Sequence, residues 1–197
     1  MKTVFVDVDS QIDFLYPAGA LYVPGAERIV PNIAKLNAFA AQRNIPVIST
    51  MDAHTENDPE FRTWPPHCVA GTTGQQKPAV TLVEKRVTVP NGPSLPETAG
   101  AQQILLEKQS VDCFTNPNLI PLLDRLGVDR CVVYGVVTEI CVKNAIFGLL
   151  KTGRRVELVT DAVKELDTTA SAEILAQFTG AGGHLSVSRA IMATEWA

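Results

Sequence analysis

Arg130–Val142 reads "RCVVYGVVTEICV", an apolar run of β-forming residues that breaks at a Thr-Glu pair before a cysteine. Branched and aromatic side chains in such a run favour a buried strand, while Glu139 to Leu150 carries helical spacing. A strand thus hands over to a helix, and Cys141 stands at the handover. The rhythm recurs along the chain. "TVFVDVD" reads as a first strand, followed by helical spacing from about Ala26 to Gln42 through Ile29, Ile33, Leu36 and Ala40. "IPVIST" reads as a second buried strand, and "AVTLVEK", "AQQILLEK" and "RRVELVT" as further ones, with helical patterns at Asn118 to Leu126 and Thr169 to Phe178. Alternating β and α segments predict an α/β fold of three layers, α/β/α, around a mostly parallel sheet of about six strands. The chain of 197 residues is expected to form a single domain over 1–197.

Composition narrows the function. With 46% hydrophobic and 19% charged residues the chain can bury a substantial core, and a net charge of -4 with scattered lysines and arginines offers no footprint for nucleic acid or an anionic membrane. A small neutral ligand is compatible. "MKTVFVDVDSQIDF" interrupts its apolar run with Asp7 and Asp9 and has neither a small-residue cleavage site nor the length of a membrane span. A cytoplasmic protein is expected. Cys68, Cys113, Cys131 and Cys141 are widely spaced with no CxxC pair, which argues against a disulfide framework or a structural zinc site.

In open parallel sheets ligands bind outside the carboxyl ends of the strands. Asp9, Asp52 and Cys141 fall at or just past such ends, and the irregular stretch from Asp52 to Pro78 is long enough to be a functional loop. A cysteine where a strand meets a helix can be held as thiolate by free N–H groups, and those groups can also hold an oxyanion. Asp9 is the candidate base. Lys108, after the strand in "ILLEKQSVDCF", would set an ammonium beside thiol and carboxylate and keep both ionised. Cys131, inside a strand, reads as core.

Taken together, "DSQIDFLYPAGALYVPGAE", "EKQSVDCF" and "GVVTEICV" resemble the isochorismatase-like cysteine hydrolases, in the family's order and over nearly the whole chain. The resemblance implies a triad of base Asp9, Lys108 and nucleophile Cys141, with Asp13 structural. It further implies a cis peptide between Val136 and Val137, so that the N–H groups of Val137 and Cys141 form an oxyanion hole. A homo-oligomer is implied as well. Ser10, Ile12 and Glu139 depart from the family's usual apolar residue, Asn and Asp.

"MDAHTENDPEFRTWPPHCVAGT" bears on a metal. Asp52 and His54, two apart at a strand end, can face a common ion, and His67 returns from the loop; one carboxylate and two imidazoles suit zinc, iron or manganese and leave positions open for water and substrate. Spacing alone is also compatible with a polar loop of locally bonded histidines. The stretch is similar to the nicotinamidase branch of the family, which implies a divalent ion on Asp52, His54 and His67, with Glu60, or less readily Glu56 or Asp58, as a fourth ligand. The branch implies Phe14 and Trp64 on the two faces of an aromatic amide; His184 has no matching role. The expected reaction is hydrolysis of a small, nicotinamide-like carboxamide through a thioester. The rivals are a metal-free hydrolase of the same fold acting on an isochorismate-like ether, a carbamoyl or a ureido compound, and a non-catalytic ligand-binding member.

Overall fold

The computed structural model describes residues 1–193 of the chain, so the last four residues of the expected domain lie outside the described ones. In chain order the strands are β1 (Thr3–Val8), β2 (Val47–Asp52), β3 (Arg86–Val89), β4 (Gln103–Lys108), β5 (Arg130–Val136), β6 (Arg155–Lys164) and β7 (His184–Ser186). They form one seven-stranded sheet in the order β3-β4-β2-β1-β5-β6-β7, with every neighbouring pair parallel. The helices are α1 (Ile12–Leu15), α2 (Val30–Gln42), α3 (Leu119–Leu126), α4 (Lys143–Lys151), α5 (Thr168–Gly180) and α6 (Ser188–Ala193). Among the described residues no helix is long and apolar enough to cross a membrane.

Alternation along β1 builds the layers. Val4, Val6 and Val8 join a core completed by Leu122 and Leu123 of α3, Ile146 and Leu149 of α4, and Phe178 of α5. Phe5 points the other way, into a core with Ile33 and Leu36 of α2 and Ile191 of α6. Each such side chain contributes about 1.5–3 kcal/mol on full burial, so the central strands are clamped from both faces.

Two expectations change, and β7 is a strand that was not expected. "AVTLVEK" is not a strand: Ala79–Thr81 forms a 3₁₀ turn opened by Pro78, whose carbonyl accepts the Thr81 hydroxyl at 2.8 Å. The strand in this region is β3, a short edge strand whose Arg86 and Thr88 face solvent, so it carries no apolar run. β7 is likewise an exposed three-residue edge strand, and His184 sits on it facing solvent. The pattern expected as one helix from Ala26 divides into a 3₁₀ turn, Ala26–Arg28, and α2, which begins at Val30.

At the centre of the sheet β1 and β5 approach unusually closely. Gly135, paired with Val8, has φ of 122°, and a Cβ there would lie 2.0 Å from the Val8 carbonyl oxygen. Only glycine fits. The approach brings the segment after β1 against the segment after β5.

Candidate active site

Four adjacent strands, β4-β2-β1-β5, deliver Lys108, Asp52, Asp9 and Cys141 to the same edge of the sheet. Asp52 and Lys108 are opposite each other in register. Asp9 turns the chain out of β1 with φ of 47°, a left-handed conformation that Asp tolerates better than most residues. Its N–H donates to the Thr50 carbonyl at 3.1 Å, and the Thr50 hydroxyl donates to its Oδ1 at 2.7 Å. Lys108 Nζ, fully buried, lies 2.9 Å from Asp9 Oδ2, pairs with the Asp52 carboxylate, and donates to the Ser110 carbonyl at 2.8 Å. Asp9, Asp52 and Lys108 all lie close enough to act electrostatically on the Cys141 thiol.

The electrostatics follow from two carboxylates around one ammonium. Burial works against the charge of Lys108, but Asp52 and then Asp9 outweigh it and hold the ammonium well above lysine's ordinary value. Burial pushes the Cys141 thiol up, and the charges of Asp9 and Asp52 push the same way against Lys108. Lys108 acts on the thiol in the expected direction but does not outweigh burial and the two carboxylates. These surroundings favour a neutral thiol, so a base must take its proton at the moment of attack.

Cys141 does not sit on a regular α-helical turn. Thr138–Val142 forms a π turn in which the Val142 N–H reaches back to the Val137 carbonyl at 3.1 Å, and α4 continues from Lys143. Such single-turn widenings recur at functional sites. The peptide between Val136 and Val137 is cis. Val137 and Cys141 both line a small cavity beside the cluster.

Asp52, His54 and His67, all buried, bring three ligand atoms within 4.8 Å of one another. Asp52 divides its oxygens: Oδ1 serves Lys108, while Oδ2 lies 4.0 Å from His67 Nε2. His67 Nδ1 faces the Pro65 carbonyl at 2.8 Å, and His54 Nδ1 faces Asp58 Oδ2 at 3.1 Å. That leaves Nε2 of each ring for the shared space. His54 Nε2 is buried and has no hydrogen-bond partner, a costly state for a polar atom unless something else binds it. The donor set therefore fits a divalent ion, with the outer partners fixing the rings as metal-binding histidines require. Burial pushes the His67 imidazolium down, which favours the neutral, ligating form.

Of the acids named from the loop, Glu60 lines the same cavity but stays outside the three-residue cluster, and burial followed by the charge of Asp52 raises its proton affinity. Asp58 is committed to His54 and to the Glu60 N–H at 3.0 Å. Glu56 is exposed. Phe14 and Trp64 both border the cavity, with the Phe14 ring 5.4 Å from the His67 ring. Asp13 accepts the Cys68 N–H at 2.7 Å and the Ala20 N–H at 2.9 Å, which pins the backbone beside His67.

Other contributors were not assigned from the sequence. Gln11 accepts the Asp52 N–H at 2.7 Å and donates to the Asp52 carbonyl at 2.9 Å, so it sets the strand end that carries the acid. Its place between Asp9 and Asp13 in a repeated-acid motif was the available signal. Asp58 carried one as well, standing four residues after His54. Leu166 and Ile140 also line the cavity.

An isochorismatase domain matches residues 3–189. The chain belongs to the isochorismatase family. It is 26% identical over 185 residues to a nicotinamidase of Acinetobacter baylyi, covering 83% of this chain and 82% of that one. It is 27% identical over 164 residues to a maleamate amidohydrolase of Pseudomonas putida, covering 82% and 72%. Among solved structures, the pyrazinamidase of Pyrococcus horikoshii in complex with zinc superposes with a TM-score of 0.79 at 27% identity, covering 95% of this chain and 99% of that one. With these relatives, the chain is an amidohydrolase.

Proposed function

We propose that the protein hydrolyses the carboxamide of a small, neutral, ring-bearing substrate of the nicotinamide kind to its acid and ammonia. The observation that carries this is the joining of a Cys141–Asp9–Lys108 cluster to an apolar cavity whose charged lining residues, among those described, are the acids Asp52 and Glu60. An amide that carries its own carboxylate, as maleamate does, meets no lysine or arginine among those lining residues. Phe14 and Trp64 offer ring faces; stacking adds about 0.5–1.5 kcal/mol beyond burial.

In this reading Asp9 accepts the thiol proton as Cys141 Sγ attacks the amide carbon. The N–H groups of Val137 and Cys141 receive the oxyanion. Collapse expels the amine, which takes the proton from Asp9 and leaves as ammonia. Asp9 then removes a proton from water, which opens the thioester and restores the thiol as the acid departs. Lys108 balances Asp9 and Asp52 throughout. Asp52, His54 and His67 would hold a zinc, iron or manganese ion, with Glu60, which lines the same cavity, as a further donor. When bound, such an ion supplies a Lewis-acidic point that orients a ring nitrogen.

Ammonia release from nicotinamide, maleamate and an N-carbamoyl amino acid, each with and without added zinc, iron or manganese, tests the proposal. Nicotinamide is expected to be turned over at least tenfold more efficiently than maleamate. A preference for maleamate or for the carbamoyl compound would overturn the substrate class.

A further inference from the structure

We propose that Leu166, held in place by the Glu139 carboxylate, is the gate that sets how large a molecule can reach Cys141; the substrate side of this inference rests on the amide reading above. Among the described residues, Leu166 is an exposed large apolar side chain that also lines the cavity, at 49% exposure. The other residues bordering the cavity are buried or half-buried, so Leu166 marks its rim. An exposed leucine on a polar loop has little reason to be fixed. This one is fixed: Glu139 Oε1 accepts the Leu166 N–H at 2.9 Å and the Asp167 N–H at 2.8 Å.

The loop is fastened on its other side as well. Asp167 Oδ1 caps α5 by accepting the N–H groups of Thr169 and Ala170 at 2.8 and 3.1 Å. Glu139 lies in the π turn that carries Cys141, beside Ile140, which borders the cavity. Its Oε2 is buried without a partner, so the carboxylate's bonding is directed at the loop. Nucleophile and rim are thus tied to one turn of backbone.

Two ratios test this. The first is the rate of Cys141 alkylation by N-benzylmaleimide relative to iodoacetamide, read by peptide mass spectrometry; taking a ratio cancels the fraction of thiolate. The second is kcat/KM for a ring-methylated nicotinamide relative to nicotinamide. Leu166→Ala is expected to raise both at least tenfold, Leu166→Trp to lower both, and Glu139→Ala to raise the first by about threefold or more. Unchanged ratios in folded Leu166→Ala and Leu166→Trp would overturn the gate. If alkylation shifts while neither amide is cleaved, the gate stands and the amide reading fails; if both amides are cleaved with neither ratio moved, the reverse holds.

Discussion

Two acids stand two residues apart on the same strand segment, Asp7 and Asp9, and each is fully buried near a lysine. Around Asp7 the bonding capacity is used up: Lys77 Nζ lies at 3.3 Å, the Ser10 hydroxyl donates at 2.5 Å, Ser49 at 3.1 Å and Asn37 at 3.4 Å. Lys77 also donates to Ser10 Oγ at 3.0 Å. No thiol takes part, and none of these groups lines the cavity beside Cys141. Around Asp9 the Thr50 hydroxyl donates, a single ammonium is shared between two carboxylates, and a sulfur that borders a cavity stands alongside. Burial and ion pairing are therefore common to both clusters and do not by themselves make a site. What separates them is chemistry left to be completed from outside.

The two lysines give the largest effect and the most direct way to break this comparison. Lys108→Met leaves Asp9 and Asp52 without their shared cation. It is expected to lower kcat/KM by about 10²- to 10⁴-fold and stability by about 3–5 kcal/mol. Lys77→Met strands Asp7 in the same way and should cost similar stability in denaturant titration, yet keep kcat/KM within roughly tenfold at a temperature where it is folded. Equal silencing by both substitutions would erase the distinction. A smaller effect sharpens the metal half of the site: Asp58→Asn weakens the partner of His54 Nδ1 and should reduce zinc affinity by about 10- to 100-fold in a chelator competition. Unchanged affinity would mean that Asp58 serves only the loop.

Much of this was legible in the sequence, for identifiable reasons. β1, β2, β4, β5 and β6 lie inside the sheet and must be apolar on both faces, so they appear as apolar runs. β3 and β7 are edges, short and solvent-facing, and such strands leave little hydrophobic signal. Asp9, Lys108 and Cys141 stood out because each interrupts or closes an apolar run where a parallel sheet places its ligands. The Asp7–Lys77 pair spans 70 residues and the Glu139–Leu166 clamp 27. Such contacts are created by the fold, and no local pattern announces them. The raised proton affinity of the Cys141 thiol was hidden for the same reason: it comes first from burial and then from Asp9 and Asp52, which the fold assembles around Lys108.

The central claim is that Cys141 Sγ forms the covalent bond to the substrate. Acid-quenching the protein during turnover of nicotinamide and mapping its peptides by mass spectrometry tests that claim most directly. A nicotinoyl adduct confined to the Cys141 peptide, and absent together with ammonia release in folded Cys141→Ala, is the predicted result. Continued ammonia release by that variant at a rate near the parent's would contradict it.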